Sequence, residues 1–190
     1  MHRAGVIHGR FQVLHNDHLK YILAGKSRCD HLIVGITNPD PTLTRDDPAN
    51  PERSDPAANP LTYFERYVTI REALLESGVD YREFSIVPFP INLPELYCHY
   101  VPLDAVFYLT IYDQWGRRKL EMLRSLGLKT EVMWERPREE KGICAADVRQ
   151  LMAQGQPWEH LVPPSTAELM KLWGIPERLR GIKRRTHADS

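Results

Sequence analysis

GRFQVLHNDH, residues 9–18, follows the short apolar run of residues 5–7 and at once collects an Arg, a Gln and two His. An apolar run that ends in Gly and then turns polar reads as a buried strand running into a loop. The loop opens a helix over 17–27, with Leu19, Ile22 and Leu23 on the inner face and Asn16 or Asp17 as its cap. His15 and His18 stand three residues apart at that helix start, so both face one side. A helix start also offers unpaired N–H groups and a partial positive charge. Gly9 permits close backbone approach. The stretch is therefore an anion-binding corner. It is neither the GxxxxGK[ST] loop nor the GxGxxG fingerprint. The plain alternative is a pair of surface histidines with no ligand.

The rest of the chain sets the corner in a frame. HLIVGIT (31–37) barely alternates and reads as a buried parallel strand. FSIVPF (84–89), AVFYLT (105–110) and KTEVMW (129–134) are further strands. Helices fall at 61–77, 115–126, 145–154 and 165–173. The first of these carries Phe64, Tyr67, Val68, Ile70, Leu74 and Leu75 as an apolar stripe, a Thr62–Glu65 capping box, and Gly78 as its stop. Strands alternating with helices imply an α/β fold with a parallel sheet. Ligands of such sheets bind beyond the carboxyl ends of the strands, where residues 9–18 leave the first one.

Composition narrows the function. The 190 residues hold 25 basic and 25 acidic side chains, a formal net charge of zero. That argues against bulk electrostatic binding of nucleic acid, and the GIKRR stretch near the end reads as solvated charge. Three cysteines with no metal-ligand spacing suit a reduced, cytoplasmic setting. No run approaches the length of a membrane span. One domain over 1–175 is expected, interrupted by a Pro- and Asp-rich loop at 38–60 and followed by a basic tail, 176–190.

GRFQVLHNDH resembles the GRFQPxHxGH segment of the HxGH nucleotidyltransferases, above all the archaeal-type nicotinamide mononucleotide (NMN) adenylyltransferases. The resemblance continues in NPLTYFERYVTIREAL, in YDQWGRRKLEMLRSLGLKTEVMW, and in EEKGICAADVRQLM with its following WEHLVP, which is similar to the family's GISGTEVRRxM…WxxLVP region. It implies a Rossmann-like parallel sheet with helices on both faces. It also implies ATP bound at Gly9, Arg10, Phe11, Gln12, His15, His18, Ile143 and Arg149, with His15, His18 and Arg149 stabilising triphosphate charge. By the residues alone, Arg149 reads rather as a surface helix arginine making a weak salt bridge. Mg²⁺, held mainly by phosphates, is the implied cofactor. Thr37, Asn92, Tyr97 and Trp115 fall on the acceptor side, although Tyr97 and Trp115 read equally as packing residues. Relatives of this kind commonly form homo-oligomers.

The sequence departs from the pattern in two places. Asp17 replaces the Gly before the second His, and acts either as a helix cap or as a Mg²⁺ ligand. Cys144 and Ala146 replace the Ser and Thr of the phosphate motif, which removes two hydroxyl donors. Three functions fit. The first is adenylyl transfer from ATP to NMN or nicotinic acid mononucleotide, giving NAD or its deamido analogue and pyrophosphate. The second is cytidylyl or adenylyl transfer to another phosphorylated acceptor. The third is a nucleotide-binding regulatory protein with weak catalysis.

Overall fold

A computed structural model describes residues 1–43, 58–140 and 142–188. Most of the Pro-rich loop expected at 38–60 lies outside the described residues. Five strands, β1 (His2–Gly9), β2 (Cys29–Ile36), β3 (Phe84–Pro88), β4 (Val106–Ile111) and β5 (Lys129–Glu135), pair in parallel in the order β3-β2-β1-β4-β5. The α-helices of the described residues are α1 (Asn16–Lys26), α2 (Tyr63–Glu76), α3 (Gln114–Ser125), α4 (Ala145–Gln154), α5 (Pro164–Leu172) and α6 (Ile175–Ala188). The expected strands and helices are all present, within a few residues of their expected ends.

Strand period places neighbours on opposite faces of the sheet. Ile7, Val34 and Tyr108 pack under α1 and α2, with Ile22, Ile70 and Leu74. Val6, Ile33 and Phe107 pack on the other face, with Leu123 of α3 and with Phe89 and Tyr97. A sheet buried on both faces needs apolar residues at successive positions, which is why the central strands barely alternate. A third cluster joins Val148 and Met152 of α4 to Met170, Ile175 and Leu179, beneath Val13 and Leu61.

Three local expectations change. Helix α2 begins with the expected capping box, but Phe64 is 69% exposed and Leu75 also faces out. The inner face of α2 keeps the expected Val68, Ile70 and Leu74 and adds Arg66, Thr69 and Ala73. Helix α1 is capped by the His15 side chain, which accepts from His18 N, not by Asn16 or Asp17. The segment expected as a basic tail begins as α6: Ile175 and Leu179 are buried, and Arg178 forms a two-pronged pair with Glu65 at 2.6 and 2.8 Å. Gly78 and Gly127 follow α2 and α3 at φ of 80° and 73°, left-handed positions that favour glycine.

Candidate active site

Strand order reverses between β1 and β4, the switch point at which open α/β sheets hold ligands. A cavity of about 380 Å³ opens there. All five strand ends or the loops just past them reach it: His8 and Gly9 from β1, Thr37 after β2, Ile91 after β3, Thr110 from β4 with Tyr112 just past it, and Trp134 from β5. The first turns of α1, α3 and α4 line it as well, through His18, Gly116 and Ala146. Three helix N-termini on one cavity give it a positive field before any side chain is counted.

The two histidines are together in this cavity. Their rings stack, with centroids 3.6 Å apart and planes 20° apart. His18 also meets the Phe11 ring edge-on at 5.2 Å. Phe11 is buried at a φ of 51°, and a Cβ on Gly9 would strike its ring, so Gly9 serves the packing of Phe11. The His15 Nδ1 accepts from His18 N at 3.3 Å, which assigns the proton of the neutral ring to Nε2.

Gln12 and Arg149 line the cavity, but each is also tied to backbone. The Gln12 amide, 2% exposed, donates to Leu61 O at 2.9 Å and accepts from Leu61 N at 2.8 Å. The side chain expected to touch ATP thus pairs with the start of α2 like a strand partner. Arg149 donates to Gln12 O and so braces the same loop from α4. Asp17 takes a different part from the two expected of it. Its carboxylate accepts from Ile143 N at 2.7 Å, and a Cβ on Gly142 would collide with it. Asp17 therefore pins the segment before α4 to the first turn of α1.

The acceptor-side expectations divide. Thr37 and Trp115 line the cavity. Tyr97 does not: it is 2% exposed, lies 4.5 Å from the Phe89 ring, and donates its hydroxyl to Ile91 O at 2.6 Å. Burial pushes its phenol well above the ordinary range. Tyr97 is thus corrected to a core residue that supports Ile91, which does reach the cavity. Asn92, next along, is half-buried and not among the lining residues.

Sequence reading missed Tyr21, Tyr112 and Trp134, which form an aromatic wall of the cavity together with Trp115. Trp134 Nε1 donates to Tyr112 Oη at 2.7 Å, and its ring meets Tyr21 edge-on at 6.2 Å. A register shift after Leu109 pairs Thr110 with Trp134 and skips Met133. Such bulges re-aim side chains near sites and leave no mark in sequence periodicity. Lys119 also lines the cavity, and Asp113 caps α3 by accepting from Gly116 N at 2.9 Å. Cys144 and Ala146, the positions without the motif's hydroxyls, line it as well. Among the described residues, no three His, Cys, Asp or Glu side chains gather as a metal cage. No described helix is long and apolar enough to cross a membrane.

No protein-family model matches the chain. Among curated proteins it is 52% identical over 176 residues to a phosphonoformate cytidylyltransferase of Streptomyces viridochromogenes, covering 93% of this chain and 95% of that one. It is 30% identical over 184 residues to a nicotinamide-nucleotide adenylyltransferase of Ignicoccus hospitalis, covering 93% and 96%. Among solved structures it superposes with a TM-score of 0.64, at 16% identity, on a bifunctional NMN adenylyltransferase/ADP ribose pyrophosphatase from Francisella tularensis. That match covers 90% of this chain and 49% of the bifunctional one, about half its length.

Proposed function

The chain belongs to the HxGH nucleotidyltransferases, the family of its adenylyltransferase and cytidylyltransferase relatives, and from that premise we propose that it moves a nucleotidyl group from a nucleoside triphosphate to a phosphorus oxyanion of a small acceptor. One observation carries the reading: the stacked His15 and His18 share a cavity with Arg149 and three helix N-termini at the switch point of the sheet.

In this reading the acceptor oxyanion attacks the α-phosphorus. The bond from that phosphorus to the bridging oxygen breaks, and pyrophosphate leaves. The acceptor is already nucleophilic, so no covalent enzyme intermediate is required. The work of the protein is positioning and charge stabilisation. His15, through Nε2–H, and His18 donate to triphosphate oxygens as negative charge moves to the leaving group. Arg149 offers a planar fork to the same oxygens. Backbone N–H groups at the start of α4 stand in for the missing Ser and Thr hydroxyls. Mg²⁺ carried on the triphosphate would neutralise further charge. Among the described residues the carboxylates that line the cavity, Asp17 and Asp113, already serve backbone N–H groups, so phosphate and water would supply most of its ligands. A triphosphate substrate fits a cytoplasmic setting.

Two substrate pairs satisfy this chemistry. ATP with NMN or nicotinic acid mononucleotide would give NAD or its deamido analogue. Relatives bearing the nicotinamide-nucleotide adenylyltransferase name along nearly their full lengths support it. CTP with a small phosphonate such as phosphonoformate would give a cytidylyl phosphonate. The 52% identity to the Streptomyces enzyme supports this second pair. Incubation of the protein with Mg²⁺ and each pair, followed by ³¹P NMR of the products, separates them. A pyrophosphate diester resonance from ATP and NMN supports the first. A mixed phosphonate–phosphate anhydride from CTP and phosphonoformate supports the second. Neither product would refute both.

A further inference from the structure

We propose that Arg66 is a positioning residue that couples the nucleotide half of the site to its acceptor half. The inference rests on the function proposed above. Arg66 sits on the inner face of α2 and is 2% exposed. Its Nη1 donates to Arg10 O at 3.0 Å and to Thr37 O at 2.7 Å. Its Nη2 donates to Asn38 O at 2.7 Å, with Pro39 O at 3.4 Å, and its Nε donates to Thr62 O at 3.2 Å. One planar fork therefore holds the loop after β1, the loop after β2 and the start of its own helix.

The two loops have different ligands in the proposed reaction. The first carries Arg10 and leads to His15. The second carries Thr37, on the acceptor side. Each also bends through a non-glycine residue of left-handed φ, Phe11 at 51° and Asn38 at 49°. Such positions persist only where their surroundings hold them. Arg66 bonds the carbonyl just before Phe11 and the carbonyl of Asn38 itself.

Among the described residues no carboxylate pairs with Arg66; Glu65, next to it, is turned to Arg178. Burial lowers the Arg66 pKa to about 10, yet the group stays charged near neutrality. A buried cation is poor value for stability alone, since a well-packed apolar side chain often does as well. What an apolar chain cannot do is bond carbonyls of two loops at once. A lysine keeps the charge but concentrates its donors at one point and cannot span them.

A bridge of this kind makes order at one loop favour order at the other, and such coupling is reciprocal. Isothermal titration reads it without turnover. Wild type, R66K and R66M are titrated with α,β-methylene ATP or CTP, in the absence and presence of NMN or phosphonoformate. The account expects the acceptor to tighten nucleotide binding by about tenfold in wild type, within the usual range of such couplings. In R66K and R66M the factor should fall to about one, while each ligand still binds alone.

A measurement on wild type covers variants that fail to fold. Hydrogen exchange of a peptide spanning residues 36–43 should slow on adding the nucleotide analogue alone. Retained coupling in either folded variant, no coupling in a wild type that binds both ligands, or unchanged exchange in that peptide would overturn the proposal. A wild type that binds no nucleotide analogue would overturn the functional reading itself, and this inference with it.

Discussion

Replacing Gln12 by Ala tests what the GRFQ loop is built to do. The amide satisfies both backbone groups of Leu61, at 2.8 and 2.9 Å, and Leu61 is buried. In Q12A that N–H and C=O lose their partners where water is excluded. Each orphaned group costs about 1–3 kcal/mol, so the variant should lose roughly 2–6 kcal/mol. For a chain of this size that lowers Tm by roughly 4–24 °C. Gln12→Glu keeps the acceptor for Leu61 N but loses the donor to Leu61 O and buries a charge, so it should be no better than Ala. Urea unfolding followed by tryptophan fluorescence gives the stability, and titration of the folded variant gives nucleotide affinity. We expect a large loss of stability with nucleotide Kd changed by less than about tenfold, or about 1.4 kcal/mol. Stability within about 0.5 kcal/mol of wild type, with affinity down more than about a hundredfold, would refute the reasoning. It would also return Gln12 to the ligand set that family resemblance implies.

Further outcomes are specific. His18→Ala should lower kcat by about 10²–10³, the usual cost of one charge-stabilising donor, with unfolding free energy changed by less than about 1 kcal/mol; steady-state kinetics and denaturation on one preparation check both. Tyr97→Phe should lose about 1 kcal/mol of stability with its bond to Ile91 O, and leave acceptor KM unchanged; a raised KM alone would place Tyr97 at the acceptor. Burial raises the pKa of the Glu65 carboxyl, but bonds from Arg178 and Thr62 outweigh that and hold it below the ordinary carboxylate value. A depressed folded pKa stabilises above the unfolded value and loses that contribution as pH falls through the folded one. The stability gap between wild type and Arg178→Met, about 1 kcal/mol at neutral pH for a partly exposed pair, should therefore shrink as pH falls below about 4.5. A gap independent of pH would remove the ion pair as its cause.

Periodicity carried most of the fold. β1, β2 and β4 are buried on both faces, and their unbroken apolar runs say so. Helices α2 and α3 announce their ends through Thr62, Gly78 and Gly127. The stacked His15 and His18 were legible because a three-residue spacing at a helix start leaves them little choice. What escaped reading depends on contacts distant in sequence. Gln12 meets Leu61 across 49 residues, and Asp17 meets Ile143 across 126. No local pattern distinguishes those partners from a ligand or a cap. Tyr97 and Trp115 are both aromatic residues beside loops, and only packing sends one to the core and the other to the cavity. Arg66 did leave a signal: it lies three and four positions from Tyr63 and Ile70 on the buried side of α2, where a charge needs a reason. The basic composition after residue 175 hid the buried Ile175 and Leu179, because charge on the outer face of a helix outweighs two apolar residues in any average.

The central claim is acceptor-dependent nucleotidyl transfer at the histidine pair. Its most direct test is pyrophosphate release with Mg²⁺, measured for ATP with NMN and for CTP with phosphonoformate, in wild type and His18→Ala. The account predicts release that requires both substrates of at least one pair and falls by about 10²–10³ in the variant. Release that ignores the acceptor, or that survives loss of His18, would contradict it.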